Sequence, residues 1–295
     1  MKKIIVVTGG AGFVGSNLIN KLLLQTNYKI ISLDNYSTGL IQNHIKSKRV
    51  KYIKSNTINI INKMSKYKKK IHTVFHFGEF SRIYQSFKRF DECFASNLIG
   101  SKEVFTFCLK NNIKLVYSAT SANFGNNGKD KNLSPYAFTK AKNLEFLENL
   151  KKWFKFKFEV IYFYNVYGSN QIKTGDMATV IGIFEHQYLK KKPLTIVKPG
   201  TQTRRFTHIS DTIDVCFEAW KKGKNAHYSI SHRNSFSIIQ VAKMFKCKTT
   251  YLPPRLGERY ASKLTNMSLN NKVIKKFGKI DLKDYISSFI KDQKI

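Results

Sequence analysis

Short runs rich in Ile, Val, Phe and Tyr alternate with amphipathic stretches over the first half of the chain. The runs 3–8, 29–34, 50–55, 72–77, 113–118 and 158–164 are predicted to be strands. Between them, 13–25 is predicted as a helix, followed by a weakly patterned helix after Ser55, a long helix ending near Lys110, and another from Tyr136 to about Lys152. Strands alternating with helices predict an α/β fold with a doubly wound parallel sheet. After Gly168 the rhythm changes to polar loops, isolated helices and stretches broken at Pro193, Pro199 and Pro253-Pro254. This predicts one lobe over 1–168 and a smaller, less regular C-terminal lobe over 169–295, with part of about 205–230 returning to the first.

The turn after the first strand reads Thr8-Gly9-Gly10-Ala11-Gly12-Phe13-Val14-Gly15. Glycines suit a tight turn, a backbone pressed against a pyrophosphate, and a helix packed close to its strand. The amides that open the helix then face the phosphates. Asp34 ends the second strand, 34 − 15 = 19 residues after Gly15. A carboxylate there accepts hydrogen bonds from the ribose diol of NAD and repels the 2′-phosphate of NADP. Strand, turn, helix and acid together predict a Rossmann-type NAD site.

Tyr136-Ala137-Phe138-Thr139-Lys140 spaces a phenol and an ammonium at i and i+4, on one helix face. A nearby cation favours the phenolate and so makes a usable base. Tyr84/Lys88 and Tyr188/Lys192 share the spacing. Tyr136 is preferred because it follows Ser134-Pro135 at a helix start, just beyond the fifth strand. The other two pairs are expected on solvated faces. The Ser/Thr-rich stretch Tyr117–Ser121 offers a hydroxyl to the substrate oxygen that Tyr136 would deprotonate.

These residues, with Phe75-His76-Phe77-Gly78, Asn97, Asn165-Val166-Tyr167-Gly168, Gln202–His208 and Arg255-Leu256-Gly257-Glu258, fall in one order. In that order the chain resembles the extended short-chain dehydrogenases/reductases that act on nucleotide sugars. The resemblance implies a base at Tyr136, a partner at Lys140 that also holds the nicotinamide ribose, and a catalytic hydroxyl at Thr120. It implies cofactor contacts from Gly9, Gly12, Phe13, Val14, Gly15, Asp34, Asn35, Asn56, Phe77, Gly78 and Asn97. On the substrate side it implies Asn165, pyrophosphate clamps at Arg204 and Arg255, and a small residue, Ser262, beside the sugar's C2 substituent. It also implies a homodimer built on the helix before Lys110 and the helix from Tyr136, with Phe87, Phe90, Phe94, Leu98 and Phe105 on an apolar face.

Some positions depart from the family. Asn56 stands where an Asp is usual, Tyr162 where an Arg is common, and Arg205 where an acid is common. Gly78-Glu79 replaces a small pair. Dehydratases and decarboxylases of this family carry acids just after the catalytic Thr, whereas this chain has Ser121 and Ala122. The expected reaction is therefore epimerisation of a nucleotide sugar at C4 through a 4-keto intermediate. The alternatives are a nucleotide-sugar reductase or dehydrogenase, and a catalytically silent NAD-binding protein.

Composition adds little to this. Lys and Arg number 52 against 18 Asp and Glu, a net charge of +34. The excess is nearly all scattered Lys in a chain also crowded with Ile and Asn, residues that share A/T-rich codons, so no specific nucleic-acid partner is expected. Cys93, Cys108, Cys216 and Cys247 form no CxxC pair, so neither structural zinc nor a disulfide framework is expected. No apolar run reaches the length of a membrane span. The first apolar run breaks at Thr8-Gly9-Gly10, so a cytoplasmic protein that opens on a buried strand is expected rather than a signal peptide.

Overall fold

The computed structural model describes residues 3–121, 130–257 and 273–293. Ser262 lies outside the described residues, as do Ala122 and most of the loop before Tyr136. The strands β1 (Ile4–Thr8), β2 (Lys29–Asp34), β3 (Val50–Lys54), β4 (Ile71–His76), β5 (Lys114–Thr120) and β6 (Phe158–Phe163) form the expected parallel sheet. Two later strands extend it beyond β6, His227–Ser231 and then Val273–Phe277, giving eight strands in all. Every pairing in this sheet is parallel.

Side chains along a strand alternate between faces, and the two faces carry separate cores. Ile4, Val6, Leu115 and Tyr117 face helices Ser101–Lys110 and Pro135–Phe154, where Phe105, Cys108, Leu147 and Leu150 are buried. Ile5, Val7 and Val116 face α1 (Phe13–Gln25) and helix Ile209–Lys222, where Leu18, Leu22, Cys216 and Trp220 are buried. A strand covered on both sides has no polar face, which explains the nearly unbroken apolar runs. A third core lies apart, around Phe184, Ile196, Phe245 and Ile286. It joins helices Val180–Leu189, Ile238–Met244 and Leu282–Asp292 beneath the small sheet Leu194–Val197/Thr249–Leu252.

Two expectations are corrected. The long helix before Lys110 is broken. Gln85–Lys88 and Phe90–Phe94 are separate helical turns, Arg89 between them leaves helical geometry (φ −116°, ψ 50°), and Ala95–Gly100 is a π-helix. The π turn inserts an extra residue and re-aims side chains. Here it turns Asn97 inward and brings Gly100 against Thr57. Strand β5 also runs two residues beyond its expected end, to Thr120. This carries Ser118 and Thr120 to the sheet's carboxyl edge as strand residues rather than as a free loop.

Candidate active site

The sheet order reverses around β1, which has β2 on one side and β4 on the other. A crevice opens at the carboxyl ends of strands at such a switch point. Here it is a cavity of about 800 Å³. Gly9, Gly12, Phe13, Val14, Gly15, Asp34, Asn35, Asn56, Phe77 and Gly78 all line it.

Backbone makes the glycine wall. Gly9 has φ 70°, and a Cβ there would lie 2.9 Å from the Gly78 backbone. A Cβ on Gly15 would lie 2.1 Å from the Gly9 carbonyl oxygen. The turn is thus pressed against the end of β4, and α1 begins directly behind it. That is the cradle a dinucleotide pyrophosphate requires, with free amides at the helix start. Asp34 is buried at the tip of β2, where its carboxylate accepts hydrogen bonds from the Ala11 N–H at 2.9 Å and the Tyr36 N–H at 2.8 Å. Burial pushes its carboxyl above the usual range, against the pull of those backbone bonds. At the rim, Asn35 donates to the Asn56 amide oxygen at 2.8 Å, so the two asparagines act as one unit.

Thr120, Tyr136 and Lys140 line the same cavity. Ser134 caps the helix that carries the last two, accepting from the Ala137 N–H at 3.1 Å, and Pro135 opens its first turn. Burial pushes the Tyr136 phenol up to about 12, and the charge of Glu79 adds to this. A hydrogen bond with Thr120 and the charge of Arg82 pull the other way. Lys140 donates to the Ser118 carbonyl and to Glu79, and its Nζ lies 4.5 Å from the centre of the Tyr117 ring. Burial holds its ammonium below the ordinary lysine range, while Glu79 acts against that shift.

The far wall carries Asn165, Arg204 and Arg255. Asn165 adopts φ 25°, a conformation Asn tolerates better than most residues, and donates to the Arg205 carbonyl at 3.1 Å. The Arg255 guanidinium sits 5.3 Å from the centre of the Tyr84 ring.

The other YxxxK pairs lie differently than expected. Tyr84 lines the cavity rather than a solvated face. Tyr188 packs in the third core against Phe245 and Phe289. Asn97 belongs to the π-helix. It is fully buried behind the cavity, accepting from the Phe80 N–H at 2.7 Å and donating to Thr139 at 3.1 Å. Its role there is to tie the loop after β4 to the helix of Tyr136. Of the aromatic residues expected on the apolar face, Phe105 covers the sheet and is core.

The reading of the sequence missed three cavity residues: Glu79, Arg82 and Tyr84. Glu79 was visible only as a departure from a small pair. In the structure it is the hub of a polar network. Its Oε1 accepts from Ser101 at 2.9 Å, Asn143 at 3.0 Å and Tyr117 at 3.1 Å, and its Oε2 accepts from Lys140. The network continues to the glycine turn. Because Ser101 donates to Glu79, the His76 Nε2–H donates to Ser101 (2.8 Å), and His76 Nδ1 accepts from Thr8 (2.7 Å). Thr8 in turn accepts the N–H groups of Phe77 and Gly78. Burial lowers the His76 imidazole to about 4, consistent with the neutral tautomer that this chain of bonds requires. Arg82 donates from Nε to the Met177 carbonyl at 2.9 Å, next to Tyr136. Among the described residues no cluster of His, Cys, Asp and Glu is arranged to hold a metal.

Comparison with known proteins agrees with this geometry. Residues 5–231 match the NAD dependent epimerase/dehydratase family. An uncharacterized UDP-glucose epimerase of Bacillus subtilis is 30% identical over 226 residues, covering 71% of this chain and 70% of its own. The dTDP-D-glucose 4,6-dehydratase of Homo sapiens is 28% identical over 258 residues, covering 82% of this chain and 72% of its own. The crystal structure of UDP-glucuronic acid 4-epimerase from Bacillus cereus, in complex with UDP-glucuronic acid and NAD, superposes with a TM-score of 0.84 at 25% identity, over 98% of this chain and 99% of that one. With a glycine turn pressed against the end of β4 and a match over most of its length, the chain belongs to the NAD dependent epimerase/dehydratase family and takes NAD as its cofactor.

Proposed function

We propose that the protein epimerises a nucleotide sugar, at C4 and through a transient 4-keto sugar. The observation that carries this reading is the set Thr120, Tyr136 and Lys140 in one cavity with the glycine turn. When bound in the cradle, NAD supplies an acceptor for a hydride and returns it, and its oxidised ring adds a positive charge. The protein's part is to place groups and to move one proton. Thr120 and Tyr136 hold the reacting hydroxyl between them. Tyr136 Oη takes its proton and gives it back on the other face of the turned sugar. Lys140 keeps a cation beside that phenol and holds the ribose. Arg204 and Arg255 clamp the pyrophosphate of the nucleotide, a task suited to the guanidinium fork, and Asn165 orients the sugar.

A lyase reaction needs a second acid or base near the Thr. Ser121 offers only a hydroxyl, a poor acid or base near neutral pH, and Ala122 carries only a methyl. Among the described residues, the carboxylate that acts on Tyr136 is Glu79, and Lys140, Ser101, Tyr117 and Asn143 already occupy it. This favours epimerisation over dehydration.

We place the NAD site in a lobe of 1–168 completed from about 205–230, and the sugar-binding groups mainly in 169–295. A homodimer belongs to the same reading. Phe90 and Phe94 stack at 4.3 Å, and Phe138 continues the ladder at 6.1 Å from Phe94. Phe90 is 48% exposed, a large apolar surface for an unpartnered helix pair. Four free thiols fit a reducing compartment, so we infer a cytoplasmic enzyme. Among the described residues no helix is long and apolar enough to cross a membrane.

Purified protein incubated with UDP-, dTDP-, GDP-, CDP- and ADP-sugars and followed by NMR tests the reaction. The expected result is one pair of C4 epimers interconverting without added NAD. Denaturing the desalted protein should release about one NAD per chain if the cofactor is retained through the cycle. Little release, with turnover only when NADH is supplied, points to a reductase. No turnover of any sugar leaves a silent binder.

A further inference from the structure

Glu79 lies in the cavity wall next to the catalytic ammonium, and the mechanism above assigns it no step. Its side chain is 3% exposed and that of Lys140 is 4% exposed, so the pair is sealed from water. Neither ion tolerates such burial alone. The carboxylate meets this cost by accepting four hydrogen bonds from three different elements. Lys140 and Asn143 donate from helix Pro135–Phe154, Tyr117 from β5 and Ser101 from its own helix, while Glu79 itself follows β4. Its backbone is equally fixed. Gly78, the preceding residue, has no room for a Cβ against Gly9, and the Glu79 N–H donates to the Phe77 carbonyl.

Lys140 has three N–H donors. One goes to Glu79 and one to the Ser118 carbonyl, while its Nζ rests over the Tyr117 ring. The remaining donor is left for the cavity, where the ribose and Tyr136 are placed. We propose that Glu79 is a positioning residue of this centre, holding the Lys140 side chain as an ion and aiming it at the cavity. The claim rests on the reading of Tyr136 and Lys140 as the catalytic pair.

The groups that face Lys140 support this balance. Burial disfavours its charge, and Glu79 is the largest influence on the other side. Cys93 also borders it, its thiol pushed up to about 11 by burial, and Tyr136 shares the cavity wall, its phenol pushed up to about 12 before NAD adds a positive charge. His76, lowered to about 4, brings no positive charge. Without Glu79 the ammonium would face only neutral dipoles and a ring, in a site that excludes water. Its hold on the proton would then weaken.

The test is to follow Lys140 itself. Protein carrying lysine labelled with 13C at Cε, saturated with NAD, is titrated by NMR, with the Lys140 signal assigned by its loss in Lys140→Met. The expected result is that Glu79→Gln lowers the Lys140 midpoint by one pH unit or more, the scale for loss of a directly bonded opposite charge. Glu79→Asp, which keeps the charge on a shorter arm, should restore most of that shift. In Glu79→Gln the rate should fall on the alkaline side as Lys140 loses its proton. An unchanged or raised midpoint in Glu79→Gln overturns the proposal, as does an equal shift in both variants. Should Glu79→Gln fail to fold, the unaltered protein decides. Its Lys140 NζH3+ signal should be visible at pH 8 with slow solvent exchange, as a fixed buried ion pair requires, and a fast-exchanging or neutral amine overturns the proposal. The NMR readouts need no sugar. If the midpoint falls as expected while no nucleotide sugar turns over, the positioning role holds and the proposed reaction fails alone.

Discussion

The two walls of the cavity are built in opposite ways. The glycine wall comes from one contiguous stretch, Thr8 to Gly15, and it works through backbone: amides, a positive φ and space where a Cβ would collide. The catalytic wall is assembled from β4, the π-helix, β5 and helix Pro135–Phe154, and it works through side chains. Its parts are up to 64 positions apart, the separation of Glu79 and Asn143. A wall made of backbone needs only its own local sequence. A wall made of side chains needs every strand and helix in place first. One thread joins the two, running from Thr8 through His76 and Ser101 to Glu79 and Lys140.

Substitutions should separate the walls. Tyr136→Phe should have the largest effect, a loss of turnover of at least about 100-fold, the scale of a lost general base. The glycine wall should be untouched, so the desalted variant should still release NAD on denaturation. Near-normal turnover in this variant, with activity lost instead in Tyr84→Phe, would move the catalytic role to the other cavity tyrosine. Gly15→Ala attacks the backbone wall. Its Cβ would lie 2.1 Å from a carbonyl oxygen that has nowhere to go, and overpacking of this kind typically costs about 1–3 kcal/mol. Calorimetry should show NAD binding weakened together with melting temperature, and tight NAD binding in this variant would mean that the turn is looser than the contact implies.

His76 tests the thread. Its imidazole is lowered from 6.5 to about 4 by burial, so between those values the unfolded chain binds the extra proton and the folded one does not. Stability is therefore complete above about pH 6.5 and lost as pH falls toward 4, by roughly 2 kcal/mol at pH 5. Denaturant titrations at pH 7 and pH 5 should show that loss, and His76→Gln should lack it. Equal acid sensitivity in both proteins would assign the effect to other groups. The smallest expected effect belongs to Asp34, the one side chain on which the backbone wall depends. Asp34→Ser should relax the preference for NAD over NADP by about tenfold, through loss of a repelled charge. Calorimetric titration showing NADP already bound as tightly as NAD by the unaltered protein would remove this role from Asp34.

Most of the sheet could be read in the order of the chain. Residues buried on both faces cannot alternate polar with apolar, so β1, β2 and β4 stand out as apolar runs bounded by turns. The glycine turn and Asp34 were equally plain, since both depend on spacing within 30 residues. The breaks in the helix before Lys110 were not, because the pattern of apolar residues survives a π turn that changes which side chains face inward. Asn97 shows the consequence: only the structure reveals that its buried amide ties the loop after β4 to the helix of Tyr136.

The sequence alone therefore determined the fold class and the NAD cradle and singled out the proposed pair Tyr136/Lys140, because each rests on a local period or a fixed spacing. Tertiary structure decided which groups surround that pair. An acid three residues beyond β4 has no direction until β5 and two helices close around it. Only then does Glu79 lie against Lys140, with Ser101, Tyr117 and Asn143 satisfying its remaining lone pairs. Burial makes that placement matter: in water the carboxylate and ammonium would barely interact, whereas in the buried wall their attraction is little screened.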